Sequence, residues 1–253
     1  MKKVTLGLAF AASIAMTAYT FAAQNKVDIS VKGSETCIAS NGIPNHEIGA
    51  TGRNSAAEQN LSYCFPSNPV KTDTKTTRAE VIGIMLNGVP IRPNTAEYYD
   101  ASARKGFSRD DSSGWRLSAL GNPQIFRTDV NYGHADHRGL YHYHGMPAAL
   151  IPLGSKTLIG YAADGHEIHY SENAQPSYVL KTGTRPSGPG GTYDGTYEQD
   201  WQYLKGAGNL DECNGAVVNG TYVYFATDAY PYFQRCHYGE VGSDFVQRGP
   251  RAG

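Results

Sequence analysis

The sequence predicts a mainly β protein, with antiparallel sheets and hairpins forming a sandwich or barrel-like single domain with a few short helices. Three turns of the Asn-Gly or Asp-Gly type are flanked by alternating apolar residues, which is the strongest local signal for a β-hairpin. The chain has 29 glycines and 18 tyrosines, and tyrosine is enriched in strands. No stretch carries a long amphipathic stripe of helical period. Together these observations favour strands joined by tight turns.

The three predicted hairpins share one turn chemistry. Both central residues of a type I′ turn take positive φ, which Asn, Asp and Gly tolerate best. The turns are Asn87-Gly88 between 81–86 and 89–91, Asp164-Gly165 between 158–163 and 166–170, and Asn219-Gly220 between 216–218 and 221–226.

Helices and loops are secondary features of this chain. Short helices are predicted at 56–63, 96–105 and 197–204, and polar or Gly/Pro-rich loops at 72–77 and 186–191. Neither loop is long enough to mark a domain boundary. We therefore predict a single β domain over residues 24–253.

The amino terminus has the pattern of a secretory signal peptide. Met1-Lys2-Lys3 is followed by an apolar run too short to span a membrane and by small residues near 20–23, with cleavage expected after Ala22 or Ala23. We predict a signal peptide over 1–23, no membrane span, and a periplasmic or secreted protein. The net charge is −1, without a basic block, which argues against nucleic-acid binding.

Four cysteines in an exported chain predict two disulfides. Sequence alone permits three connectivities. Pairing of nearest neighbours, Cys37 with Cys64 and Cys213 with Cys236, is the simplest of them. A thiolate metal site is the competing interpretation, but no Cys-x-x-Cys spacing is present.

The segment 131–147 contains four of the eight histidines. Within it, Tyr141-His142-Tyr143-His144 alternates with period two. On a strand, His142 and His144 share one face with Cα atoms roughly 6.5–7 Å apart. His134 and Asp136 precede a Gly139 turn and are expected to fold back as further ligands. Imidazoles at this spacing suit a divalent transition metal such as zinc or copper. The alternative is that the histidines are surface or hydrogen-bonded structural residues.

These residues resemble the YHYH-domain family of secreted, mostly bacterial proteins. The resemblance covers roughly residues 80–240 and implies a fold and a site at the histidines, but it implies no reaction. Where the family tends to repeat Gly-Thr-Tyr-His-Tyr-His, this chain has Gly-Thr-Tyr-Val-Tyr-Phe at 220–225. The matching motifs are Leu-Asn-Gly-Val-Pro at 86–90, Gly-Tyr-Ala-Ala-Asp-Gly at 160–165, Leu-Asp-Glu-Cys-Asn-Gly at 210–215 and Tyr-Pro-Tyr-Phe at 230–233.

The departure at 220–225 shares the spacing Gly-x-Tyr-x-Tyr with residues 139–143. Val223 and Phe225 stand at the positions that correspond to His142 and His144 in the segment 139–144. Because they are apolar, we expect them to face a core. Two interpretations stay open: an old duplication with one half retaining the site, or a coincidence of β patterning.

Three carboxylates are candidates for acid–base chemistry. Asp164 lies at a hairpin turn, and Asp211 and Glu212 adjoin a predicted disulfide at Cys213. A cross-linked loop is a rigid platform for a catalytic carboxylate, although Asp-Gly is also sufficient as a turn by itself. We predict these three as the catalytic residues.

Three functions compete at this point. The first is an exported metal-dependent hydrolase or lyase, with a divalent transition metal held by His134, His142 and His144. Asp136 is either a fourth ligand or a group that contacts the ligands, and the substrate is a small polar or saccharide-like molecule. The second is a non-catalytic copper- or zinc-binding protein. The third is a carbohydrate-binding or adhesion module that uses the tyrosines as its platform. No Gly-x-Ser-x-Gly or nucleotide-binding motif is present, which disfavours a serine esterase or nucleotide-dependent enzyme.

Overall fold

The computed structural model describes residues 23–49, 54–77, 79–151 and 157–246. The predicted signal peptide lies almost entirely outside this part of the chain. The described residues form sixteen strands, one short helix and three single 3-10 turns. In chain order the strands are β1 Val27–Lys32, β2 Glu35–Ser40, β3 Leu61–Pro66, β4 Gly83–Met85, β5 Pro90–Ile91, β6 Asn94–Tyr99, β7 Phe107–Ser108, β8 Arg116–Ser118, β9 Gly133–Ala135, β10 Tyr141–Tyr143, β11 Leu158–Ala162, β12 Glu167–Tyr170, β13 Tyr178–Leu180, β14 Trp201–Tyr203, β15 Gly215–Val218 and β16 Thr221–Ala226.

An eight-stranded sheet is the main element of the fold. Its order is β15-β16-β12-β11-β4-β5-β10-β9, and the pairs β5–β10 and β12–β16 are parallel. The other sheets are β1-β2-β3, β7-β6-β8 and β13-β14. The mainly β prediction is confirmed, and no closed barrel is found among the described residues.

All three predicted hairpins are present. The Asn87-Gly88 turn joins β4 to β5, Asp164-Gly165 joins β11 to β12, and Asn219-Gly220 joins β15 to β16. Gly88, Gly165 and Gly220 have φ between 75° and 86°, the left-handed region that a Cβ disfavours. Asn219 also has positive φ, at 50°, whereas Asn87 and Asp164 do not, so the type I′ geometry is wrong for two of the three turns although their hairpins form.

The predicted helices are wrong. Residues 56–63 lead into β3, residues 96–105 contain most of β6 and a series of turns, and residues 197–204 form a 3-10 turn, Glu198–Asp200, followed by β14. Within the described ranges there is one α-helix, α1, which covers Pro123–Phe126 and has no buried residue. Each of the three segments carries Tyr side chains that pack well on a pleated surface, and none has an apolar helical stripe. No described helix is long and apolar enough to cross a membrane.

The main core lies between the eight-stranded sheet and the β1-β2-β3 sheet. Phe65 of β3 stacks on Tyr161 of β11 with ring centroids 5.1 Å apart, and Ile38, Ile84 and Ile168 are fully buried in the same cluster. The tyrosines of β10 and β16 belong to this cluster too. One face of the large sheet is thus covered by the smaller sheet.

Both disulfides have the nearest-neighbour pairing. Cys37 bonds to Cys64 across the β2–β3 ladder, and Cys213 bonds to Cys236. The bridges close segments with sequence separations of 27 and 23 residues. In the chain-entropy description, closing segments of this length stabilises the folded state by about 3.5 kcal/mol per bridge.

Candidate metal centre

Three of the predicted ligands come together at one edge of the eight-stranded sheet. The antiparallel ladder β9–β10 places His142 directly opposite His134, and His144 follows the end of β10. Cross-strand neighbours on one face lie close enough for their side chains to meet. The three imidazole rings have centroids 4.8–4.9 Å apart. One potential ligand atom from each ring lies within 4.8 Å of those from the other two.

The alternation of β10 separates the two residue types as predicted. His142 and His144 lie beside His134, while Tyr141 and Tyr143 lie on the opposite face and pack edge to face at 5.5 Å. Both tyrosines are fully buried in the main core. One short strand therefore contributes to the core with one face and to the histidine cluster with the other.

Backbone carbonyls orient all three imidazoles. The Nδ1 atoms of His134, His142 and His144 lie 2.5, 3.1 and 3.5 Å from the carbonyl oxygens of Phe126, Leu140 and Pro93. A carbonyl oxygen only accepts, so these contacts favour a proton on Nδ1 and a free lone pair on Nε2. Such an outer contact is the usual way in which a metal-binding histidine is held.

The Nε2 atoms of His134 and His144 are 3.2 Å apart. With the protons on Nδ1, two lone pairs face each other at that distance. A cation between them relieves the repulsion, because each Nε2 is then a ligand. The geometry therefore fits a metal coordinated through Nε2.

Burial keeps these imidazoles neutral. His142 and His144 are 5% and 3% exposed, whereas His134 is half-buried. Loss of hydration lowers the pKa of His142 and His144 well below the ordinary imidazole value, and the neighbouring histidines lower it further. Burial also lowers the pKa of His134. Neutral imidazole is the form that coordinates metals.

The low pKa values of His142 and His144 predict that the metal-free protein loses stability in mild acid. Above pH 6.5 both the folded and unfolded forms are neutral, so there is no penalty. As the pH falls below about 6.5, the unfolded chain binds protons that the folded chain does not, at a cost of about 1.4 kcal/mol per pH unit for each histidine. Urea unfolding in the presence of a chelator, at several pH values between about 7.5 and 5.5, measures this slope.

The variant His142→Gln provides the comparison for that slope. It removes one of the histidines whose protonation sets the slope. His237 is retained, and its pKa is also lowered by burial. We expect a shallower dependence of unfolding free energy on pH in the variant than in the wild type. Identical slopes would contradict the assignment of a depressed pKa to His142.

Asp136 is not in the group of converging ligand atoms. Its Oδ1 accepts hydrogen bonds from the backbone nitrogens of Arg138 and Leu140, and its Oδ2 lies 3.3 Å from Arg92. The carboxylate therefore stabilises the β9–β10 turn. An Asp at the start of a turn commonly bonds to the backbone two residues on.

The three predicted catalytic carboxylates lie away from the histidines. Asp164 is fully buried at the β11–β12 turn, where its Oδ2 accepts hydrogen bonds from the Tyr224 hydroxyl and the Gly239 nitrogen. Asp211 and Glu212 precede β15, at the opposite edge of the sheet from β9. The sheet order thus separates these residues from the cluster that they were expected to serve.

Two groups that stand in no sequence motif interact with the β9–β10 pair. Burial lowers the pKa of His134, and nearby carboxylates counteract this by raising it. Glu97, half-buried on β6, is the carboxylate with the largest such effect. On the other face, the Tyr143 hydroxyl lies 2.6 Å from Nε2 of His46 and 3.0 Å from Nδ2 of Asn87. The charge of Glu97 acts on His134, and His46 contacts Tyr143, only because distant segments of the chain pack together.

The structure is that of a mainly β, disulfide-bonded protein with a largely buried cluster of three histidines on and beside two paired strands. The chain belongs to the YHYH family: a family model described as YHYH protein matches residues 62–239. This match includes every residue of the cluster and every hairpin of the large sheet. No curated protein and no solved structure matches the chain.

Proposed function

We propose that the protein is exported, binds one divalent transition metal through the Nε2 atoms of His134, His142 and His144, and uses it as a hydrolase or lyase. The observation that carries the proposal is the convergence of three imidazoles whose Nδ1 atoms all face carbonyl oxygens. Three neutral nitrogen donors suit zinc or copper. The two disulfides support an oxidising compartment.

Three protein ligands are the number found in catalytic zinc sites, which keep a further position for water or substrate. When bound, such a metal acidifies a water molecule or polarises a carbonyl or phosphoryl oxygen of a substrate. His134 is the half-buried member of the cluster and marks the side from which a small polar molecule enters.

Glu97 is the carboxylate that we assign to acid–base chemistry at this site. It lies on β6, four residues after Pro93, whose carbonyl faces Nδ1 of His144. Its Oε2 accepts a hydrogen bond from the backbone nitrogen of Ala96, and it forms no salt bridge with another described residue. Asp136, in contrast, is bound to Arg92 and its own turn. Glu97 is therefore the more available proton acceptor.

A non-catalytic zinc- or copper-binding protein is the second candidate. It is favoured by one observation: within the described residues, no carboxylate joins the three histidines in the group of converging ligand atoms. A carbohydrate platform receives less support. The most parallel aromatic pair, Trp201 and Tyr230, has ring centroids 4.6 Å apart, but Tyr230 is only 6% exposed.

Metal analysis tests the proposal directly. We expect the full-length chain, exported and purified without added metal, to contain close to one zinc or copper ion per molecule by elemental analysis. Stripping with a chelator should remove the ion, and titration with zinc or copper should restore it at micromolar or tighter affinity. A protein that binds neither metal at micromolar concentrations would contradict the proposal.

Activity distinguishes the two metal-binding candidates. A panel of ester, phosphodiester and glycoside substrates should reveal a hydrolysis that stops on chelation and returns with the metal. The variant Glu97→Gln should keep the metal and lose most of this activity, since loss of a general base typically costs a factor of about 100 or more. Full activity in Glu97→Gln would contradict the assigned role of Glu97.

A further inference from the structure

The eight-stranded sheet has a symmetric strand order. Read from one edge it runs β15-β16-β12-β11, and from the other edge β9-β10-β5-β4. Both halves have the same sequence of pairings from the edge inward: antiparallel, parallel, antiparallel. In one half these pairs are β15–β16, β16–β12 and β12–β11. In the other half they are β9–β10, β10–β5 and β5–β4. The two halves meet at the antiparallel pair β11–β4. This pattern corresponds to a local twofold axis between β11 and β4.

The contacts at the centre obey the same symmetry. Gly160 pairs with Met85, and Gly83 pairs with Ala162. A Cβ on Gly160 would lie 2.5 Å from the carbonyl oxygen of Ile84, and a Cβ on Gly83 would lie 2.7 Å from that of Tyr161. Equivalent glycines thus allow the two halves to approach closely.

The hairpin turns match as well. In one half the Asn87 side chain accepts a hydrogen bond from the Val89 nitrogen and donates to the Tyr143 hydroxyl. In the other half the Asp164 side chain accepts from the His166 nitrogen, and it accepts from the Tyr224 hydroxyl. Asn87-Gly88 therefore corresponds to Asp164-Gly165, and Tyr143 corresponds to Tyr224.

An aspartate joins the two outer strands of the first half. The Oδ1 of Asp129 accepts hydrogen bonds from the backbone nitrogens of Asn131 and Gly133, at 2.9 and 3.2 Å. Its Oδ2 accepts a hydrogen bond of 2.7 Å from the Tyr141 hydroxyl. We call this set of contacts the Asp–Tyr clamp. A Cβ on Gly133 would lie 2.4 Å from the Tyr141 hydroxyl, so the clamp requires glycine there.

The second half contains the same clamp. The Oδ1 of Asp211 accepts hydrogen bonds from the nitrogens of Cys213 and Gly215, both at 2.9 Å, and its Oδ2 accepts one of 2.8 Å from the Tyr222 hydroxyl. A Cβ on Gly215 would lie 2.2 Å from that hydroxyl. The backbone agrees too, because Tyr132 and Asn214, each preceding the clamp glycine, have φ of 54° and 60°.

The two halves differ at the metal centre. The equivalences place apolar side chains of the second half where the first half has its cluster, and Val223 and Phe225 are buried in a small apolar core. Shape and hydrogen bonds are thus common to both halves, whereas the ligands belong to one. The equivalent positions in the two halves are His134 and Ala216, His142 and Val223, and His144 and Phe225.

We infer that the large sheet is a duplication of one unit, and that Asp129 is a positioning residue for the three-histidine centre, with Asp211 as its counterpart in the copy without ligands. The part that concerns Asp129 rests on the proposed function. Asp129 binds the residue before His134 and the residue before His142. It therefore sets how β9 and β10 present their imidazoles to each other.

The duplication supplies a matched control for the test. Asp129→Asn and Asp211→Asn each replace an accepting carboxylate oxygen by an amide nitrogen that cannot accept. Both variants should lower the melting temperature of the metal-free protein by similar amounts. Only Asp129→Asn should weaken zinc binding, by about tenfold, the low end of the effect of changing groups that orient metal ligands. Asp211→Asn should stay within about twofold of wild type.

Histidine ring signals give a readout that does not need the metal. In the metal-free protein, long-range nitrogen–proton NMR spectra report the tautomers of His134 and His142. We expect Asp129→Asn to shift these signals and Asp211→Asn to leave them unchanged.

Equal effects of the two variants on zinc affinity and on the ring signals would overturn the positioning role. If the wild type binds no zinc or copper while Asp129→Asn alone shifts the ring signals, the proposed function fails and the positioning role stands. If the wild type binds zinc and Asp129→Asn changes neither the affinity nor the ring signals, the positioning role fails and the proposed function stands.

Discussion

The double variant His142→Ala/His144→Ala abolishes stoichiometric binding of zinc or copper: this is the largest effect that we expect on the site. The variant leaves one imidazole of the three whose ligand atoms converge. A single nitrogen donor is too few for a structural or catalytic cation. Isothermal titration of the chelator-treated protein, combined with elemental analysis, measures the loss.

Two single variants serve as controls for this result. His137 is exposed and lies in the same segment as the ligands, but it is outside the converging group. His46 contacts Tyr143 on the opposite face of β10. His137→Ala and His46→Ala should each bind close to one metal ion per molecule. Binding by the double variant equal to that of the wild type would contradict the metal centre.

The second large effect is on stability, at the centre of the eight-stranded sheet. Gly160→Ala places a Cβ 2.5 Å from the carbonyl oxygen of Ile84 and 3.0 Å from the Cα of Met85. Both are backbone atoms, so the clash is not relieved by rotation of a side chain. The strands must separate, and overpacking of this kind costs roughly 3 kcal/mol. Urea unfolding of wild type and variant gives the difference in free energy.

A surface position on the same sheet provides the control for Gly160. Val217 on the edge strand β15 is 65% exposed, so Val217→Ala should change the unfolding free energy by less than about 1 kcal/mol. Gly83→Ala should behave like Gly160→Ala, because its Cβ would meet the carbonyl oxygen of Tyr161. A Gly160→Ala variant as stable as Val217→Ala would contradict the close approach of β4 and β11.

Much of the local structure was predictable because its causes are local. The preference of Asn-Gly and Asp-Gly pairs for tight turns located three hairpins, and the period of two in 141–144 separated the histidines from the tyrosines. The nearest-neighbour disulfides followed the simplest pairing. Helix propensity was a weak signal. In the three segments where helices were expected, strand pairing and aromatic packing determined the backbone conformation.

The assignment of carboxylates was not predictable in the same way. Asp164, Asp211 and Glu212 lie close to glycines and a cysteine in the sequence, but their positions relative to His142 depend on where β11 and β15 lie in the sheet. Asp136 adjoins His134 in sequence, yet its own turn and Arg92 use its oxygens. Glu97 carries no sequence signal at all.

The sequence by itself determined three hairpins of the large sheet and the common face of His142 and His144, since each depends on residues a few positions apart. Residue type alone indicated that the four cysteines form two disulfides. The tertiary structure decided which other groups join them: carbonyl oxygens of Phe126 and Pro93, the charge of Glu97, and the clamp at Asp129. These contacts depend on the order of strands across the sheet. That order is a property of long-range packing, which no local pattern of side chains encodes.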